Sequence, residues 1–358
     1  MIAAYVSGHG FGHSTRVGEV LRAVRGQAPG VPLAVVTSAP EMLYREALEG
    51  PFTYRGMECD VGLEQHGALV IDAEATIRRW QGFVADWPAR VAAEAEWLRS
   101  IGARVVLGDI PPLAFAAAAA AGLPSLALAN FSWDWIFAHI ARAHPGLRDA
   151  AQWAAEEYRK ADRLLRLPFY GDLSVFRAIE DVPLVARRPR APRADLRRRL
   201  GFGSEPVVVL SFGGLGLPGL EPGRLAARRA YRFVISEPAA DLPANFQVVD
   251  RPALQRAGVS YIDLVAAADV VVTKPGYGIV SDCIGAGTRL VYTDRGDFPE
   301  YPILVEQMAR WLPCVYVTNA QLAGGDIVDA LESVLARPIP EPPDRGGAAV
   351  VARHLLRD

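Results

Sequence analysis

Ile2-Ala-Ala-Tyr-Val-Ser-Gly-His-Gly-Phe-Gly-His-Ser-Thr-Arg16 opens the chain with an apolar run, a glycine-rich turn and the start of an amphipathic segment. Residues 2–7 read as a buried strand and a helix is expected from Ser14, with glycines between them that let backbone approach a ligand closely. The alternation continues outward. A strand at 33–37 precedes a helix from Pro40, and one at 105–108 precedes a helix at 113–121, with a further strand at 125–129. Residues 73–100 have helical period, with a break expected at Pro88, and carry Trp80, Phe83, Trp87, Val91 and Trp97 as core. Strands that alternate with helices predict an α/β protein with a parallel sheet covered on both faces.

A second set starts at Pro206. Strands are expected at 207–211, 231–236, 246–249, 270–273, 290–293 and 315–317, with helices around 276–286, 299–310 and 319–336. Between the sets lies Ala186-Arg-Arg-Pro-Arg-Ala-Pro-Arg-Ala-Asp195, whose prolines exclude a central strand and suggest a linker. The expected organisation is an acceptor-side domain at 1–185, a linker at 186–199, a nucleotide-binding domain at 200–337 and a tail at 338–358 ending in a helix. Two doubly wound sheets so joined place the carboxyl ends of their strands across one cleft.

Bulk properties narrow the function. A chain of 358 residues exceeds the roughly 250–300 at which single cores stop growing, which agrees with two domains. A net charge of −2 gives no electrostatic reason to expect nucleic acid, and the Arg-rich segment lacks interleaved aromatics. Cys59, Cys283 and Cys314 are widely spaced, which argues against a disulfide framework or structural zinc and suits a reducing cytoplasm. Residues 1–7 lack the basic start of a signal peptide. The apolar run 111–131 is interrupted at Gly122-Leu-Pro124, so no transmembrane segment is expected.

No GxxxxGK[ST], HExxH or GxSxG occurs, and Gly8, Gly10 and Gly12 do not fit GxGxxG because His13 stands at the third glycine. No Asp-x-Asp occurs either, so no metal site and no cofactor are expected; a bound diphosphate would be met by backbone N–H groups, helix starts and cations. Three constellations remain. His9 and His13 flank Gly10, Phe11 and Gly12 after the first strand, with Arg16 close behind, and can supply a base near neutral pH. Ser211-Phe-Gly-Gly-Leu-Gly216 offers the N–H groups of Gly213, Gly214 and Leu215. Lys274-Pro-Gly-Tyr-Gly-Ile-Val-Ser-Asp282 runs from a strand into a helix beginning near Gly276, with Tyr277, Gly278 and Ser281 at the helix start and Asp282 two turns in.

The sequence resembles the glycosyltransferase-like amino-terminal domain of plant L-arabinokinases along nearly its whole length. The resemblance rests on residues 5–17, Ala129-Asn-Phe-Ser-Trp-Asp-Trp135, Arg166-Leu-Pro-Phe-Tyr170, Asp181-Val-Pro-Leu-Val185 and Lys274-Pro-Gly-Tyr-Gly278. It does not extend to the kinase half, so no arabinokinase activity is implied. More distantly the three loops resemble those of GT-B glycosyltransferases, including the lipid II-forming N-acetylglucosaminyltransferase and plant UDP-sugar transferases. What the resemblance implies is an acceptor in the first domain and a nucleotide sugar in the second. His13 then matches the base and Asp109 the carboxylate that holds it. Gly213, Gly214, Gly276 and Gly278 match diphosphate contacts, Asp282 the acidic residue that binds ribose, and Glu300 lies near the stretch that reads sugar hydroxyls. Asn130, Ser132, Trp133 and Asp134 would line the acceptor side, the tryptophan being equally suited to core.

The expected function is therefore an inverting, metal-independent transfer of a sugar from a nucleoside diphosphate, UDP favoured, to a hydroxyl acceptor of unknown identity. Two alternatives use the same fold: a non-catalytic sugar-nucleotide-binding regulator, or a sugar-nucleotide epimerase or hydrolase.

Overall fold

The computed structural model describes residues 1–66, 70–212, 222–237 and 241–357. The first lobe is built on seven parallel strands: β1 (Ile2–Val6), β2 (Leu33–Thr37), β3 (Thr53–Gly56), β6 (Val105–Asp109), β7 (Ser125–Ala129), β8 (Arg163–Arg166) and β9 (Ile179–Asp181), in the order β3-β2-β1-β6-β7-β8-β9. A small antiparallel ribbon, β4 (Gln65–His66) with β5 (Val70–Ile71), stands apart from it. The second lobe has six parallel strands: β10 (Val207–Ser211), β11 (Arg232–Ile235), β12 (Phe246–Val248), β13 (Val270–Thr273), β14 (Arg289–Tyr292) and β15 (Cys314–Tyr316), in the order β12-β11-β10-β13-β14-β15.

In each sheet the strand order reverses once. The chain moves outward from β1 to β3, then returns beside β1 with β6; it moves outward from β10 to β12, then returns beside β10 with β13. Between the diverging strands at such a point no helix covers the carboxyl ends, and a crevice is left. Register sets what faces it: Val6 pairs with Asp109 in the first lobe and Ser211 with Thr273 in the second.

The central strands are buried on both faces, as parallel sheets require. Alternate residues of β1, Ala3 and Tyr5 against Ile2, Ala4 and Val6, enter separate apolar layers. The layer under Val17, Leu21 and Val24 of the helix Phe11–Gln27 continues into the second lobe through Val209, Val271 and Val280. The terminal helix Gly347–Arg357 joins that layer with Val351 and Leu355, while Gln27 and Glu180 of the first lobe bond to Ala349 and His354. The chain thus returns at its end to the lobe where it began.

Several elements differ from expectation. The first helix starts at Phe11, three residues before Ser14, because Gly10 (φ 88°) makes the turn that admits an earlier start. Residues 73–100 form two helices, Ala73–Val84 and Trp87–Ser100, and Pro88 sits in the first turn of the second, where its missing N–H costs nothing. The expected helix 319–336 is likewise two, Asn319–Gly324 and Val328–Leu335, divided at the left-handed Gly325. Part of the 186–199 stretch is the helix Arg193–Leu200, anchored on the second lobe where Arg197 donates to Asp269 at 2.9 Å. Among the described residues no helix is long and apolar enough to cross a membrane.

Candidate active site

Ser7 N donates to the Asp109 carbonyl at 2.8 Å, carrying the β1 to β6 ladder one residue past β1 and aiming both following loops into the crevice. His13 and Arg16 lie three apart on the helix Phe11–Gln27, hence on one face, and both turn toward the end of β6. His13 Nδ1 meets Asp109 Oδ1 at 2.8 Å; Arg16 clamps the same carboxylate with Nη2 to Oδ1 at 2.6 Å and Nε to Oδ2 at 2.7 Å. Asp109 is 0% exposed, Arg16 5% and His13 7%, so these bonds form with almost no water present. Burial by itself would raise the Asp109 carboxyl, but the adjacent Arg16 and His13 outweigh it and hold the group below the usual carboxylate range.

A carboxylate only accepts, so Nδ1 is a protonated nitrogen of His13, and in the neutral ring Nε2 carries the lone pair. Nε2 makes no hydrogen bond with the described residues, and Phe131 closes one side of the ring at 5.6 Å. That is the arrangement of a general base held by a carboxylate. Arg16 Nη2 also stands 3.2 Å from Nδ1, so the carboxylate is shared between the imidazole and a permanent cation.

His9 is half-buried, its ring edge-on to Trp133 at 5.3 Å and close against the backbone of Gly62, where a Cβ would stand 2.4 Å from His9 Nδ1. Burial, followed by His13 and Arg295 nearby, lowers its pKa to about 4, so it stays neutral near pH 7. Trp133 is fully buried and donates Nε1–H to Asp60 Oδ2 at 2.8 Å. Of the two roles open to it, the structure gives Trp133 that of core wall beneath His9. Ser132 is also buried, and Asp134 stands in the first turn of the helix Trp133–Ile140, its carboxyl pushed up to about 6 by burial.

The second crevice holds the start of the helix Tyr277–Ala286, with Gly276 as its cap. Gly278 lies against Gly12: a Cβ on Gly278 would stand 3.1 Å from Gly12 Cα, and one on Gly12 3.8 Å from Gly278 N. The turns of the two lobes therefore touch backbone to backbone. Lys274 is half-buried beside them, its ammonium lowered to about 8 by burial and then by Arg295. Tyr277 packs its ring under the Arg16 guanidinium at 4.7 Å, and Ser281 Oγ donates back to the Gly278 carbonyl at 2.8 Å. Asp282 is buried and held by Arg187 at 3.0 and 2.5 Å, so in this conformation its carboxylate serves the Arg-rich connection. Both oxygens of Glu300 are engaged as well, by Asn130 and Arg295. Phe11 is exposed at the rim with Gly10. Gly213, Gly214 and Leu215 lie outside the described residues.

Two polar residues of the site went unread in the sequence. Asp60 is buried behind Trp133, its carboxyl raised by burial against the pull of bonds from Ser7 and Trp133; only the neighbouring Gly62 hinted at a close approach there. Arg295 bonds to the Pro275 carbonyl at 3.2 Å and so stands at the Gly276–Gly278 turn, its one sequence signal being a cation just past a strand end.

Two parallel sheets, each with its crevice at a point of strand reversal and the crevices joined through touching glycine turns, define a GT-B glycosyltransferase fold. The whole chain is 33% identical over 364 residues to the N-terminal region of L-arabinokinase from Arabidopsis thaliana, and spans 34% of that protein's length. An uncharacterised glycosyltransferase of Methanopyrus kandleri is 24% identical over 314 residues, covering 84% of this chain and 87% of the relative. Among solved structures, the glycotransferase of kitacinnamycin superposes with a TM-score of 0.61 at 18% identity, covering 99% of this chain and 94% of its own. A UDP-glucose:anthocyanidin 3-O-glucosyltransferase in complex with UDP gives 0.58 at 12% identity, covering 99% and 93%. No protein-family model matches the chain.

Proposed function

We propose that the protein transfers a sugar, with inversion and without a metal, from a nucleoside diphosphate to a hydroxyl acceptor. One observation carries the reading: His13, backed by Asp109 at 2.8 Å, follows directly on Gly12, which the glycine turn Gly276–Gly278 of the other lobe touches. The acceptor hydroxyl gives its proton to His13 Nε2 as its oxygen attacks the anomeric carbon, and the C–O bond to the diphosphate breaks on the opposite face. Charge growing on the departing diphosphate is met by the N–H groups at the start of Tyr277–Ala286, by Lys274 and by Arg295. UDP is the nucleotide we favour; among structures of similar fold an anthocyanidin glucosyltransferase holds UDP and the glycosyltransferase VinC holds dTDP, so both belong in the test.

A second reading, a non-catalytic sugar-nucleotide binder, draws support from Arg16. By sharing Asp109 it gives the imidazole a largely neutralised partner, which lessens the help a carboxylate lends to a base. The test is a panel of UDP-, GDP- and dTDP-sugars followed by thermal shift and by nucleotide release, with and without candidate alcohols and in the presence of EDTA. Binding with acceptor-dependent release supports transfer; binding with no release under any acceptor supports the binder; release without acceptor points to hydrolysis.

A further inference from the structure

One unbroken line of side chains joins the two crevices. Arg295 Nη1 donates to the Pro275 carbonyl and, at 2.7 Å, to Glu300 Oε2. Glu300 Oε1 accepts from Asn130 Nδ2 at 2.5 Å, and Asn130 Oδ1 accepts from Arg16 Nη1 at 2.9 Å. Arg16 in turn clamps Asp109, which holds His13. No member can turn over: a guanidinium only donates and a carboxylate only accepts, so Asn130 must offer its oxygen to Arg16 and its amide to Glu300. Glu300 is 1% exposed and Asn130 fully buried, which leaves no water to substitute for a broken link. Charge alternates along the line, negative at Asp109, positive at Arg16, negative at Glu300 and positive at Arg295. At its outer end Arg295 keeps Nε and Nη2 clear of any hydrogen bond with the described residues, next to Gly276.

We propose that Glu300, acting through Asn130, is a positioning residue that couples the diphosphate side of the cleft to the base, so that His13 is set for proton abstraction when an anion engages Arg295. The identity of that anion rests on the transferase reading above; the line of bonds does not. It gives Glu300 a task within the protein beside the sugar-hydroxyl contact that the resemblance implies, each of its oxygens accepting one bond from a neighbouring side chain.

Nitrogen-15 labelling of histidine and arginine tests this without turnover. The groups facing His13 are Asp109, Arg16, His9 and Asp60, and none is altered by Glu300→Gln. That variant keeps the size of the side chain, but its amide nitrogen must face one of two donors and the line breaks. Loss of a buried negative charge that faces Arg16 is expected to lower the His13 titration midpoint. Adding UDP should move the Arg16 Nε resonance in the natural protein and at least fivefold less in the variant. Arg295→Lys, at a partly exposed side chain, should blunt the same Arg16 response and stands in should Glu300→Gln not fold. An unchanged His13 midpoint with an unchanged Arg16 response would overturn the coupling. UDP leaving the natural protein unmoved, while Glu300→Gln still shifts His13, would remove the donor assignment and keep the coupling.

Discussion

The two crevices share a topology and differ in chemistry. At the first, Asp109, Arg16 and His13 are nearly dry and every polar atom but His13 Nε2 is committed to a partner at a fixed geometry. At the second, Lys274 is half-buried, the start of Tyr277–Ala286 presents N–H groups, and Arg295 holds part of its fork open. A strand reversal supplies a place for a site and nothing more; the side chains delivered there decide whether it orients a base or collects an anion. Dry, fully paired groups suit a base whose direction must not wander, and a wetter cationic rim suits a charged ligand that must enter and leave.

The contrast breaks most sharply at His13. His13→Ala should lower transfer about 10²–10⁴-fold, the usual share of a positioned base, while donor affinity measured by calorimetry stays within about twofold. Loss of binding instead would mean that the first crevice also holds the donor.

Asp109→Asn should come next, and chiefly in stability. It leaves buried Arg16 without its counter-charge, a defect that costs about 3–5 kcal/mol and is read from urea unfolding. Because the folded carboxyl is held low, its stabilisation is present above the ordinary carboxylate range and is lost as pH falls through the folded value. The natural protein should show that acid limb and the variant should lack it.

The second crevice is tested by Lys274→Gln, with donor affinity expected to fall about tenfold, the worth of roughly 1.4 kcal/mol. With the ammonium lowered to about 8, binding by the natural protein should weaken as pH rises through 8, and the variant should show no such slope. The smallest effect is expected at His9. Its folded pKa of about 4 lies below the ordinary 6.5, so its neutral form favours folding above 6.5 and that contribution fades as pH falls toward 4. His9→Gln should flatten the Tm profile across that window and leave donor binding unchanged; a change in donor binding would place His9 on the anion side of the cleft.

The sequence was most legible where burial is complete. The strands at 125–129, 207–211 and 270–273 stand as expected, since strands covered on both faces are short runs of apolar residues with little else to do. Three strands of the first sheet went unread: the edge strands Thr53–Gly56, which is half-exposed, and Ile179–Asp181, which is three residues long, and Arg163–Arg166 beside the second edge, which is charged at both ends. Such strands are held by their neighbours rather than by a pattern of their own. In the site, the glycine turns and the pairing of His13 with Asp109 were legible through resemblance and through their place after strand ends. Asp60, Arg295 and the bond between Asn130 and Glu300 were not, because they join residues as far as 170 positions apart and belong to no local motif.

The proposed convergence of the two glycine turns on one diphosphate is tested most directly by a crystal structure with UDP bound. Expected is a diphosphate within about 3 Å of the backbone N–H groups at Tyr277 and Gly278 and of Lys274 Nζ, with the sugar side opening toward His13 Nε2. UDP seated elsewhere, or with its phosphates turned away from Gly12 and His13, would contradict it.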